Sequence, residues 1–166
     1  MKKKTLVIGL GNTILSDDGA GILTAREIVK KCHLSPDIEV VEASIGGIGL
    51  LDLMAGYKKV ILVDSIKTAR GQTGEIYRID VENLGDVSYP CGPHFLDVRT
   101  AVELGNRFGY EMPENIEIYA IEIKDNTTFS ETLTPEVEKA IPTLANLIIE
   151  NCDYEELNKR CLSSTL

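Results

Sequence analysis

The chain has 166 residues, room for one domain of ordinary size. It carries 17 Lys+Arg against 26 Asp+Glu, a net charge of −9, which argues against nucleic-acid binding because a phosphate backbone needs a basic face. With 43% hydrophobic and 26% charged residues the composition is globular rather than disordered, and with no Trp and 5% aromatics the core is aliphatic.

The opening Met1-Lys2-Lys3-Lys4 leads into the apolar run Thr5–Leu10. Gly9, Gly11 and Asn12 break that run and Asp17-Asp18 follow it, so it reads as a solvated basic tip before a buried strand, not as a signal peptide. No stretch approaches the ~20 apolar residues of a membrane span. The four cysteines, Cys32, Cys91, Cys152 and Cys161, form no C-x-x-C pair and read as neither a zinc framework nor a disulfide framework. The expected compartment is cytoplasmic.

In chain order, Leu6-Val7-Ile8 predicts a buried strand ending in a Gly-rich turn. Gly19–Lys31 predicts a helix with Ile22, Ala25, Ile28 and Val29 on its apolar side. Asp37–Val41 predicts a second strand and Ile48–Tyr57 a second helix. Val60–Val63 predicts a third strand, ending at Asp64-Ser65, and Lys67–Gly74 a loop. Gly74–Asp80 alternates as an edge strand does. A helix is predicted from His94 to Arg107, with Phe95, Val98, Val102 and Leu104 to Phe108 on the apolar side. Asn115–Ile123 predicts another strand. Thr134-Pro135-Glu136 predicts a helix start, with Thr as cap, Pro in the first turn and Glu at the positive end of the dipole. That helix carries Val137, Ile141, Leu144, Leu147 and Ile148, and Pro142 is expected to kink it. The predicted domain is 1–152, with a polar, fraying tail over 153–166.

This order describes an α/β fold: an open, mostly parallel twisted sheet of about five strands with helices on both faces, a three-layer sandwich. Right-handed crossovers bring the carboxyl ends of the parallel strands to one edge, where sites form in such sheets. Three loops carry ligand-type side chains: Gly9–Gly21 with Asp17 and Asp18, Asp64-Ser65, and Cys91-Gly92-Pro93-His94. Two carboxylates and an imidazole make a partial site for a divalent transition metal.

Each element also has a plainer reading. An acid pair before a helix caps it and favours its dipole, a strand-end Asp accepts turn hydrogen bonds, and His94 behind Pro93 suits an ordinary first helical turn. Cys91 reads as a small loop or buried residue, and His33 as compensation of a helix C-terminus. The dinucleotide fingerprint fails because Ile14 stands where its third Gly belongs, and Asp17 and Asp18 would repel a phosphate. No G-K-[ST], G-x-S-x-G or H-E-x-x-H occurs.

The run Val7-Ile8-Gly9-Leu10-Gly11-Asn12 through Ser16-Asp17-Asp18-Gly19-Ala20-Gly21 resembles the opening of the nickel-iron hydrogenase maturation endopeptidases. The resemblance continues at Val60–Asp64, Pro93-His94 and Leu133-Thr134-Pro135-Glu136-Val137, from residue 6 to about 150. It implies a hydrolase that removes the C-terminal extension of a hydrogenase large-subunit precursor once nickel is inserted. It also implies that Asp18, Asp64 and His94 are the nickel-contacting and catalytic residues, and that Asp17 caps a helix or supports the site. Nickel is expected to arrive with the precursor, with opportunistic zinc or cadmium binding in vitro. The expected partner is that precursor, with no nucleic acid and no membrane, and the expected state is a monomer. One departure is visible: many relatives have an acidic D-G-G-T-type turn after the second strand, where this chain reads Glu42-Ala43-Ser44-Ile45-Gly46-Gly47.

Two rival readings fit parts of the sequence. A receiver-type regulatory module would use Asp17-Asp18, Asp64 and Lys124, but the acid pair lies beyond the first strand and not at its end. A peptidyl-tRNA hydrolase-like fold is suggested by Val7–Asn12, against the net charge. The segment Ile45–Leu51 reads either as an exposed docking region or as the buried face of the second helix.

Overall fold

The structure is a computed structural model. It describes residues 3–31, 36–81 and 93–163, with side chains over 5–31, 36–79, 81 and 98–152. Five strands form one sheet in the order β2-β1-β3-β5-β4. They are β1 (Lys3–Leu10), β2 (Ile38–Ala43), β3 (Tyr57–Ile66), β4 (Ile76–Asp80) and β5 (Asn115–Glu122). All pairs are parallel except β4–β5, so β4 is an antiparallel edge strand, as its alternation predicts. A receiver-type sheet runs 2-1-3-4-5 and is parallel throughout, and this topology differs from it.

The helices are α1 (Ala20–Lys31), α2 (Ile48–Met54), α3 (Pro93–Arg107) and α4 (Pro135–Ser163). Strands β1 and β3 read as unbroken apolar runs because both faces of the sheet are covered. On one face Leu6, Ile8, Val60 and Leu62 pack with Leu50 and Met54 of α2 and Val98 and Ala101 of α3. On the other, Val7, Ile61 and Val63 pack with Ala20 and Ile28 of α1 and Val137, Leu144 and Ile148 of α4.

Several details differ from the sequence reading. β3 continues through Asp64 to Ile66, because β5 pairs with it up to Ile66–Glu122. Asp64 therefore lies inside the strand and is buried. A short 3-10 turn, Ser16–Gly19, precedes α1. Val29, Leu147 and Phe108, expected on apolar faces, are 53%, 43% and 68% exposed. The first two flank the stripes made by Ile28 and Leu144/Ile148, and Phe108 lies just past the end of α3. α4 retains Pro142 in its interior and continues to Ser163, across the predicted start of the tail at Asp153. In the second helix Leu50 and Leu51 are buried, while Ile45 and Ile48 are exposed, so each reading of that segment holds for part of it.

α3 is followed by the connection to β5, whose Glu114 N–H donates to the carbonyl of Lys58 at the amino end of β3. Fifteen helical residues span roughly 22 Å. α3 packs on the α2 face through Val98 and Ala101, and His94 is its second residue.

Candidate active site

β3 and β5 extend past the last β1–β3 pair, Gly9–Val63, by the length of Asp64-Ser65-Ile66. The space beyond the end of β1 is filled by residues 11–19. Two glycines allow this. Gly11 has φ +135, and a Cβ there would strike the carbonyl of Asp18. A Cβ on Gly21 would strike the carbonyls of Leu10 and Val63, so only Gly lets α1 start hard against the sheet. The loop then closes on itself: Asn12 N–H donates to the Asp18 carbonyl at 3.3 Å, and Asp18 N–H to the Leu15 carbonyl at 3.2 Å.

Asp18 lands beside β3. The Ser65 hydroxyl donates to Asp18 Oδ1 at 3.3 Å, and the Ser65 backbone N–H donates to Asp64 Oδ1 at 2.7 Å. Asp64 is 2% exposed and Asp18 is half-buried. Two acids separated by 46 positions of chain are thereby held on either side of one serine. The side chain of His94 lies outside the described residues, as do Cys91, His33 and Cys32. Among the described residues no group of three or more His, Cys, Asp or Glu is placed to hold a metal ion.

Asp17 has a different task from its neighbour. It is fully buried, and its carboxylate accepts four hydrogen bonds: from the N–H groups of Lys124 and Asp125 at 3.1 Å each, from Thr134 N–H at 2.7 Å, and from the Thr134 hydroxyl at 3.1 Å. Its own N–H donates to the Asp125 carbonyl at 3.0 Å. Asp17 thus fastens the first loop to the segment after β5 and to the start of α4. Thr134 accepts the Glu138 N–H at its carbonyl, as a cap residue does, but its hydroxyl is given to Asp17. Ser16, at φ +51, extends the same seam: its N–H reaches the Ser130 carbonyl at 2.7 Å and its hydroxyl the Thr132 carbonyl at 3.0 Å.

Sequence reasoning missed Ser65 as the link and Ser16 and Thr134 as clasps. The only signal in the chain was that Ser65 follows a strand Asp and that Thr134 precedes Pro135. Glu42 does not join this site. It makes a two-pronged pair with Arg26, Nε to Oε1 and Nη2 to Oε2 at 2.9 Å each, and the guanidinium holds the carboxyl below its usual range. That pair lines a depression of about 280 Å³ between α1 and β2, which neither Asp18 nor Asp64 reaches.

On the β4 side, Glu122 is buried and accepts from Thr68 N–H at 2.7 Å and the Thr68 hydroxyl at 3.1 Å. Tyr77 pairs in register with Ala120, which pairs with Asp64. Burial, then its hydrogen bond to Glu75, pushes the Tyr77 phenol up to about 12.

A family model described as hydrogenase maturation protease matches residues 22–151, well over half of the chain. The chain belongs to the hydrogenase maturation protease family. It is 26% identical over 150 residues to the hydrogenase 2 maturation protease of Escherichia coli, covering 87% of this chain and 88% of that one. It is 33% identical over 88 residues to a putative hydrogenase maturation protease of Methanocaldococcus jannaschii, a match spanning 52% of this chain and 56% of that relative. The fold matches the hydrogenase maturating endopeptidase HybD from E. coli with a TM-score of 0.78 at 22% identity, covering 92% of this chain and 93% of that one. The α/β fold expected from the sequence is therefore that of the family. No helix among the described residues is long and apolar enough to cross a membrane.

Proposed function

We propose that this protein is an endopeptidase that removes the C-terminal extension of a nickel-iron hydrogenase large-subunit precursor after nickel insertion. The observation that carries this reading is the coupling of Asp18 and Asp64 through Ser65 at the carboxyl edge of the sheet. In this reading His94, the second residue of α3, supplies the imidazole. Two carboxylates and an imidazole are a donor set suited to a divalent ion that keeps other ligands of its own. In this reading nickel is part of the substrate, held by the precursor, and the site is short of ligands until the precursor docks. Nickel so bound supplies a positive charge that anchors the substrate to Asp18, Asp64 and His94. Those residues orient the extension for addition of water across one peptide bond. The reading places the reaction in the cytoplasm with the protein as a monomer.

The test is incubation of the purified chain with nickel-loaded and nickel-free precursor encoded in the same genome, followed by intact-mass measurement of the large subunit. The expected result is one cut in the nickel-loaded form alone. Equal cutting of both forms overturns the dependence on nickel, and cutting of neither overturns the peptidase reading. Asp18→Ala and His94→Ala are expected to abolish the cut.

A further inference from the structure

Eight large apolar side chains are exposed among the described residues, and half of them share one edge of the molecule. Ile14 follows β1, Ile45 and Ile48 follow β2, and Phe129 follows β5, all at the carboxyl edge that carries Asp18. Phe129 is the most open, at 83%. Its loop is built rigidly. Asp125 Oδ1 accepts the N–H groups of Thr127 and Thr128 at 3.0 Å each and the Thr127 hydroxyl at 3.2 Å. Ser130 N–H donates to the Ile14 carbonyl at 3.0 Å, and Ser16 N–H donates back to the Ser130 carbonyl. Across the first loop, the Ser44 hydroxyl donates to the Gly11 carbonyl at 2.8 Å and ties Ile45 to the same platform. The fold keeps these backbones in place while leaving the aromatic ring in water, and an aromatic side chain on a fixed backbone is the usual form of a binding anchor.

We propose that Phe129 and Ile14, with Ile45 and Ile48 on the other side of the Asp18 loop, form the apolar docking face for the folded large-subunit precursor. This rests on the proposed function. The occupant follows from continuity: the Ile14–Ser130 bond puts the anchors on the two loops that position Asp17 and Asp18, so a polypeptide reaching Asp18 lies across them. Charge defines its surface further. Asp125 and the exposed Glu131 stand beside Phe129 in a chain of net charge −9, so the precursor presents an apolar recess bordered by basic side chains.

The test is steady-state processing of nickel-loaded precursor by the wild type, the double variant Phe129→Ser/Ile14→Ser, the single variant Phe129→Leu, and the control Phe108→Ser at the opposite edge. The double variant is expected to raise KM about tenfold with kcat within about twofold. Phe129→Leu is expected to raise KM less than the double variant does and Phe108→Ser to stay near wild type, with melting temperatures unchanged throughout. Raising the salt concentration is expected to raise the wild-type KM. An unchanged KM in the double variant, or a loss confined to kcat, overturns the docking face. Sedimentation showing that the wild type self-associates and the double variant does not assigns the face to a second copy and overturns it as well. A wild type that processes no nickel-loaded precursor removes the peptidase reading itself, and the docking face with it.

Discussion

Asp18 and Asp64 are joined through a single residue, Ser65, whose hydroxyl donates to the first at 3.3 Å and whose backbone N–H donates to the second at 2.7 Å. Only the hydroxyl bond can be removed by substitution. Ser65→Ala is expected to loosen Asp18 and slow precursor processing roughly tenfold, in line with loss of one hydrogen bond to a charged group. Ser65→Thr, which keeps the hydroxyl and suits a strand, is expected to restore most of the rate. Processing rates of the two variants side by side decide the point, and equal rates for Ala and Thr would show that the hydroxyl is idle.

Asp64→Asn and Asp18→Asn separate charge from shape. Each keeps an oxygen acceptor of similar size, so loss of the negative charge is the main change. Both are expected to reduce processing at least about a hundredfold, because a neutral amide is a poor donor to a divalent cation. Processing at wild-type rate by either variant removes that residue from the site. Asp64 is also buried, so its variant is expected to lose some stability, whereas the half-buried Asp18 is expected to lose little.

Asp17→Ala tests the seam. It leaves three backbone N–H groups, those of Lys124, Asp125 and Thr134, without their acceptor at a fully buried position. The expected destabilisation is about 3–5 kcal/mol, read by urea unfolding. Processing is expected to fall with it, since the loop carrying Asp18 loses its attachment to α4. A loss under about 1 kcal/mol would show that water replaces the carboxylate without cost.

A second buried network lies toward the amino edge of the sheet, far along the strands from Asp64. Lys59 Nζ contacts Glu117 Oε1 at 2.9 Å, and Glu117 Oε2 accepts from the Tyr119 hydroxyl at 3.1 Å and from Asn151 of α4 at 2.9 Å. Burial pulls the Glu117 carboxyl upward, but Lys59, the Tyr119 hydroxyl and Arg78 together outweigh it and leave it below its ordinary value. A carboxyl depressed in the folded state contributes stability above its unfolded pKa, near 4.5. That contribution is lost as the pH falls below this value through the lower folded one. Glu117→Gln is expected to cost about 3–5 kcal/mol at neutral pH, because it removes the buried carboxylate that Lys59 Nζ contacts at 2.9 Å. The same variant is expected to flatten the loss of stability on acidification, which unfolding curves between pH 3 and 7 would reveal.

Tyr77 gives an independent optical check. With its phenol near 12 it is expected to ionise well after an exposed tyrosine, and Tyr77→Phe is expected to remove that late step from an absorbance titration at high pH. Because its folded pKa is raised, the stability it contributes is complete below its unfolded value near 10 and is lost as the pH rises through about 12.

The sequence by itself determined the layered α/β architecture, the positions of most strands and helices, and the edge at which ligand-type residues collect. Those follow from short-range rules: apolar runs at Val60–Val63, helical spacing at Ile22, Ala25 and Ile28, and glycines where a loop must turn. The family resemblance was legible in the run from Gly9 to Gly21 for the same reason, since close approach of α1 to the sheet permits no side chain at Gly9 or Gly21, and the folded-back loop permits none at Gly11. The family resemblance already set Asp18 apart from Asp17, but only the tertiary structure supplies the contacts that separate the two. Asp17 and Asp18 are neighbours in sequence, but the 3-10 turn sends one inward to Lys124, Asp125 and Thr134 and the other to Ser65. The partners that divide them lie 47 to 117 residues away, and no local periodicity encodes contacts of that range. The same holds for Phe129, whose exposure depends on a clasp to Ile14 formed only once β1 and β5 share a sheet.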